Sequence, residues 1–326
     1  MTDMLSPAAW ARARRFMVAG ARPLDRALFA FRFEAGPAGA VVRELAAYRN
    51  EDGGFGHGLE PDVRTPLSSA LATGIALDVL HEVGAPADHA LVRGAIGYLR
   101  ETYDADAGVW RVVPPGTNDH PHAPWWHDEY GSLADTFDDF LVIPRAQLVG
   151  LLHGYAALAP GLFPGDWLAA VTERTVADIE ALDAAAFGGG GDTLRYALDL
   201  AETEALPPSF RDRLLPKLRG VALTVVSRDP AAWDSYCAPP LKIAPSPDCA
   251  VAGLFRDDLQ AHLDYQIAHQ TPEGAWEPTW TWGDFYPDVW SQARQEWRGH
   301  LTLETLTALH SFGRIEAIDT ETGSHI

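Results

Sequence analysis

The feature that most constrains this chain is a short corner that recurs between helical stretches. It is an acidic residue, a glycine, any residue and an aromatic. The clearest copy is Gln270-Thr271-Pro272-Glu273-Gly274-Ala275-Trp276, and the second is Asn50-Glu51-Asp52-Gly53-Gly54-Phe55-Gly56. Asp52 and Glu273, Gly53 and Gly274, and Phe55 and Trp276 are each separated by the same 221 residues. Asp106-Ala107-Gly108-Val109-Trp110 is a weaker copy, and Asp229-Pro230-Ala231-Ala232-Trp233 another with Pro in place of Gly. Phe187-Gly188-Gly189-Gly190-Gly191 falls where one more unit belongs. Glycine permits the positive φ that a reversal between helices needs. The acidic side chain can cap backbone N–H groups, and the ring packs between neighbouring helices.

The segments between corners carry helical periodicity. Leu71–Leu80, Ala90–Leu99, Ala146–Leu158, Trp167–Leu182, Thr193–Ala205, Phe210–Val226, Leu254–His269 and Leu301–Phe312 all place apolar residues at helical spacing. No convincing strand alternation is seen. A repeat of roughly 45 to 55 residues gives about six helical pairs. Six pairs can close a ring, which removes the exposed ends of an open array. The expected fold is therefore all-α, an (α/α)6 toroid forming one domain over residues 1–326.

These corners resemble the QW-type repeat of terpenoid cyclases and protein prenyltransferase β-subunits. Gly58–Pro66 and Glu296–Glu304 are similar to strings in a bacterial group of that superfamily. The resemblance implies an (α/α)6 barrel around an apolar cavity. The motifs that carry its chemistry are not found. No Asp-x-Asp-Asp occurs, and Asp138-Asp139 and Asp257-Asp258 lack the third aspartate of Asp-Asp-x-x-Asp. Both Asp pairs read as solvated faces or helix N-terminal charge. Asp139 as a magnesium ligand lacks nearby basic residues to bind a diphosphate. Asp248-Cys249 does not match the prenyltransferase zinc site. No resident cofactor is expected.

Charge narrows the partners. The chain carries 25 Lys and Arg against 45 Asp and Glu, a formal charge of −20. Such a surface repels nucleic acid and anionic lipid. No run of about 18 apolar residues is read, so no membrane span is expected. Met1–Trp10 is polar to neutral and does not read as a leader, and two isolated cysteines fit a reduced, cytoplasmic setting. A small apolar molecule is the expected partner, bound by a monomer or homodimer.

Three constellations carry candidate chemistry. The first follows the opening corner: His57, Glu60, Asp62 and Arg64, stiffened by Pro61 and Pro66. Glu60 or Asp62 is a general acid if burial raises its pKa, although Asp62 and Arg64 can also neutralise each other. The second is Asn118–Tyr130, in an irregular stretch from Asp104 to Ala134. Its His120, His122, His127 and Asp128 can shuttle protons, or hold a metal, and Trp125 and Trp126 can form an aromatic wall. The third is the run Trp276, Trp280, Trp282, Phe285, Tyr286, Trp290 and Trp297, which holds five of the 11 tryptophans. Trp280, Trp282 and Trp290 are expected on a Pro-rich, non-helical stretch. Such faces stabilise cations and also stack on sugars.

Three readings follow. One is a terpenoid-cyclase-like enzyme in which Glu60 or Asp62 protonates an isoprenoid. Another is a carbohydrate-active (α/α)6 enzyme using Glu60 with Asp62, or Asp128 with Glu129. The last is a non-catalytic binding toroid.

Overall fold

The structure is a computed structural model and describes residues 3–316. It is all-helical: 59% helix, with 13 α-helices and no strand among the described residues. The helices are α1 (Pro7–Gly20), α2 (Pro23–Phe33), α3 (Ala38–Leu45), α4 (Ala70–Glu82), α5 (Ala90–Thr102), α6 (Ser132–Thr136), α7 (Arg145–Leu158), α8 (Trp167–Ala181), α9 (Asp192–Glu202), α10 (Pro208–Val225), α11 (Pro240–Ile243), α12 (Arg256–Ala268) and α13 (Pro287–Ser311). All eight helices read from periodicity are present. Helices α1 to α3 and the first half of α13 were not read, and Trp290 lies on α13 rather than on irregular chain.

Local chemistry sets the ends. Ser69 accepts a hydrogen bond from Ala72 N at 2.9 Å and starts α4. Gly84, at φ +70°, stops it, and Ala85 N reaches back to Leu80 O at 2.8 Å. Packing then links neighbours in sequence. Helix α2 packs on α3, α4 on α5 and α7, α7 on α8 and α9, α10 on α8 and α9, and α11 on α9 and α12. Helix α13 packs on both α1 and α2, and Leu5 pairs with Ile315, so the two ends of the described chain meet. One contiguous apolar cluster runs from Leu5 to Leu309. A smaller one joins Val63, Val112, Trp126, Leu133 and Trp282 beneath the irregular segments.

The corners work through shared devices. Phe55 and Trp110 are fully buried, and Trp233 and Trp276 nearly so. The Trp110 indole N–H donates to Leu99 O near the end of α5, and that of Trp276 to Gln266 O near the end of α12. Trp233 donates to Ser227 O just beyond α10. The corner glycines are tightly enclosed. Gly274 has φ +99°, and a Cβ there would lie 2.3 Å from the Arg12 carbonyl carbon. Asp52 accepts from Gly54 N at 2.9 Å, as expected of the acidic position. Glu273 does not act this way: it is exposed, and the Thr271 hydroxyl accepts from Ala275 N instead. In the third copy Asp104 accepts from the N–H groups of Asp106 and Ala107. The buried Arg145 bonds Gly108 O and Asp178 behind that corner.

The expectation of no long apolar run needs one correction. Asp138–Leu158 reaches a mean hydropathy of 1.2 over 18 residues, enough by length and composition to cross a membrane. Its helical part is α7, only 14 residues and about 21 Å long. Eight residues of α7 are buried against its neighbours, which accounts for the hydropathy.

Candidate functional site

A cavity of about 2490 Å³ opens among α2, α4, α7, α9, α11 and α13. Of the residues singled out from sequence, Glu60, Asp62, Trp125, Trp126 and Trp280 line it. His57, Arg64, His120, His122, His127, Asp128, Trp282, Tyr286 and Trp290 do not.

Backbone pairing joins the first two constellations. Arg64 N donates to Pro121 O at 3.0 Å, and Ala123 N donates to Asp62 O at 2.9 Å. Arg22 fixes the loop from below, donating to Leu59 O at 2.9 Å while holding Asp25 in a two-pronged ion pair. Glu60 is thereby pressed into the wall at 8% exposure, and its Oε2 has no hydrogen-bond partner. Burial, reinforced by the neighbouring Asp62, pushes its pKa well above the ordinary carboxylate value.

Asp62 is held differently. Trp282 and Trp297 both donate their indole N–H groups to Asp62 Oδ1, each at 2.7 Å. Burial raises Asp62 to about 6, and those donors with Arg64 stop it from going higher. The expected Asp62–Arg64 pair does not form, because Arg64 makes a bidentate ion pair with Glu296 on α13. Trp282 therefore acts from behind the wall, fully buried and stacked near Trp290 at 5.6 Å. Trp280 stands edge-on to Trp297 at 5.1 Å, and its indole N–H is a third donor toward Asp62.

The histidines form a separate cluster. His122 Nδ1–H donates to His120 O at 2.6 Å. With His122 neutral, its Nε2 accepts from His127 Nδ1–H at 3.0 Å. The rings stack at 5.3 Å beside Phe285 and Tyr286, and burial lowers the pKa of His122. His120 contributes its carbonyl. His57 is exposed and bonds Asn50. Asp128 is a loop clasp: it accepts from Leu133 N and exchanges two bonds with Asn118. No group of three or more His, Cys, Asp or Glu among the described residues has metal-binding geometry.

Several cavity groups were missed from sequence. Asp78 faces the cavity from α4 and makes no hydrogen bond or ion pair among the described residues. Its pKa rises to about 7, first through burial and then through Asp199, Glu304 and Glu82, against Arg32. Arg32 bridges Glu82 and Glu304, and Arg195 bridges Asp199 and Glu202. For Glu304, His300 and Arg32 outweigh burial and hold the pKa low. Tyr196 sits among these acids: burial, then Asp192, Asp199, Glu60 and Asp78, push its hydroxyl pKa up. A lone Asp inside the apolar Leu71–Leu80 run was the available signal for Asp78. Elsewhere on the wall, Trp233 packs on His262 and Tyr265, and Tyr265 bonds Asp234. His262 accepts from Leu241 N, and burial lowers its pKa to about 3.

Comparison with known proteins finds no matching family model, no matching curated protein and no matching solved structure.

Proposed function

We propose that this chain is a carbohydrate-active enzyme whose six helical pairs form an (α/α)6 toroid, with Glu60 as general acid and Asp62 as its partner base. The observation that carries the reading is the contrast between two neighbouring carboxyls. Glu60 is buried with an unpartnered oxygen, and burial pushes its pKa well above the ordinary carboxylate value, which favours the protonated form. Asp62, titrating at about 6 and fed by two indoles, is ionised at neutral pH. Carboxyls driven apart in this way divide acid and base roles. Glu60 protonates the glycosidic oxygen as its bond to the anomeric carbon breaks, and Asp62 takes a proton from the water that forms the new bond to that carbon.

The ring is supported by sequential helix packing, by corners after α3, α5, α8, α10 and α12, and by the meeting of α1, α2 and α13. The substrate class is supported by the cavity. It opens to solvent and carries fourteen Asp and Glu among its lining residues, with Trp125, Trp280 and Trp297 as stacking surfaces. An isoprenoid cyclase would use the same acid and the same rings, but it needs a closed apolar chamber to keep water from its cation.

The test is release of new reducing ends from a panel of neutral, amino and acidic glycans. Glu60→Gln is expected to lower turnover by about 10²- to 10⁴-fold. Activity should rise with pH as Asp62 ionises near 6. A panel left intact, or a fully active Glu60→Gln protein, overturns the reading.

A further inference from the structure

We infer that the cavity binds an oligomeric, cationic ligand: a glycan chain bearing several free amino groups. The glycan part rests on the reading above, but the preference for positive charge does not. Fourteen carboxyl residues line the cavity against four Arg and Lys. All four cations are already engaged: Arg22 with Asp25, Arg32 with Glu82 and Glu304, Arg195 with Asp199 and Glu202, and Lys242 with Asp192. Asp78, open to the cavity, is left without any ion-pair partner among the described residues. The walls around it concentrate the excess negative charge.

A second observation points to a ligand and not merely to acidity. Two polar atoms on residues buried at the wall have no partner: Glu60 Oε2 and Trp126 Nε1. Buried polar groups are nearly always bonded, so two on one cavity are positions awaiting contact. The aromatic faces of Trp125, Trp280, Trp297, Tyr236 and Tyr265 attract ammonium groups as well as sugar rings. Size sets the length. The cavity, at about 2490 Å³, exceeds twice the upper end of the usual small-molecule range, which is about 1,000 Å³. A single sugar leaves it mostly empty, whereas a chain of several units matches its volume.

The experiment is calorimetric titration of full-length Glu60→Gln protein at pH 7 with three probes: a glucosamine hexamer, its fully N-acetylated form and a galacturonate hexamer. At that pH the glucosamine amines and the Asp78 carboxyl, which titrates near 7, are each partly charged. The amino hexamer is expected to bind at least about tenfold tighter than the acetylated one, and to lose about tenfold on going from roughly 50 to 500 mM salt. The acidic hexamer should not bind. Asp78→Asn should weaken the amino hexamer about five- to tenfold and leave the acetylated one within about twofold. Equal or tighter binding of the acetylated or acidic hexamer overturns the inference. Tight binding of the amino hexamer that wild-type protein never cleaves overturns the enzymatic reading and upholds this one. Cleavage of neutral glycans without any preference for amines does the reverse.

Discussion

Replacing Trp282 with phenylalanine removes one of the two N–H groups that Asp62 Oδ1 accepts, each at 2.7 Å, and leaves the Trp297 bond in place. A hydrogen bond to an ionised group contributes about 1.5–3 kcal/mol, and one between neutral groups about 0.5–1.5 kcal/mol. The lost bond therefore favours ionised Asp62 over protonated Asp62 by about 1–1.5 kcal/mol, or about one pH unit. Asp62 should move from about 6 to roughly 7. The sign follows from the native pKa lying above the ordinary value. Native protein holds a proton that unfolded chain has released, so the stability from this group is full at low pH and is lost as pH rises through the native pKa. Raising that pKa extends the loss upward. Trp282→Phe should thus cost about 1–1.5 kcal/mol more at pH 8 than at pH 5, on top of a packing cost common to both. Urea denaturation followed by far-ultraviolet circular dichroism at the two pH values measures it. In an Asp62→Asn background the difference between pH values should vanish. An equal cost at pH 5 and pH 8 in the wild-type background refutes the reasoning.

Gly274→Ala places a Cβ 2.3 Å from the Arg12 carbonyl carbon at a φ of +99°; we expect a loss of at least about 2 kcal/mol by denaturant titration, against a near-neutral Gly97→Ala on the open side of α5. Arg22→Met leaves Asp25 buried without its partner and should cost about 3–5 kcal/mol, most of which a paired Asp25→Leu restores. Asp78, titrating at about 7, withdraws stability from wild-type protein as pH rises from about 4 to 7. The melting temperature of Asp78→Asn should therefore gain on wild type across that window, and a constant offset would show that Asp78 is not repelled by its neighbours.

How far the sequence was legible can be traced residue by residue. Helices with a clear apolar face, such as α5 and α9, were readable because burial of one face is what forms them. The first half of α13 was not, because Trp290, Glu296, Trp297 and Arg298 put large polar and aromatic groups on a helix that serves the site. The corner aromatics were readable for the same reason as the helices. Glu60 and Asp62 stood out through the rigid Glu-Pro-Asp spacing, and both line the cavity. Asp78 did not stand out because it is one polar residue on an otherwise apolar helix, and Asp199 and Tyr196 because they sit among the ordinary polar positions of α9; only the assembled walls bring them together. The Asp62 environment was equally hidden: its partners Trp282 and Trp297 lie 220 and 235 residues away.

The meeting of α1 with α13 bears on how the chain reaches this state. Helix α1 is synthesised about 280 residues before its packing partner, which at cellular rates is an interval of tens of seconds. Until then Trp10, Phe16 and Met17 have no α13 to cover them, and Gln270, which clasps Ala9 O and takes a bond from Arg12, has not been made. The earliest part of the molecule to emerge is thus among the last to be finished, and its exposed apolar side is the surface a chaperone would meet first.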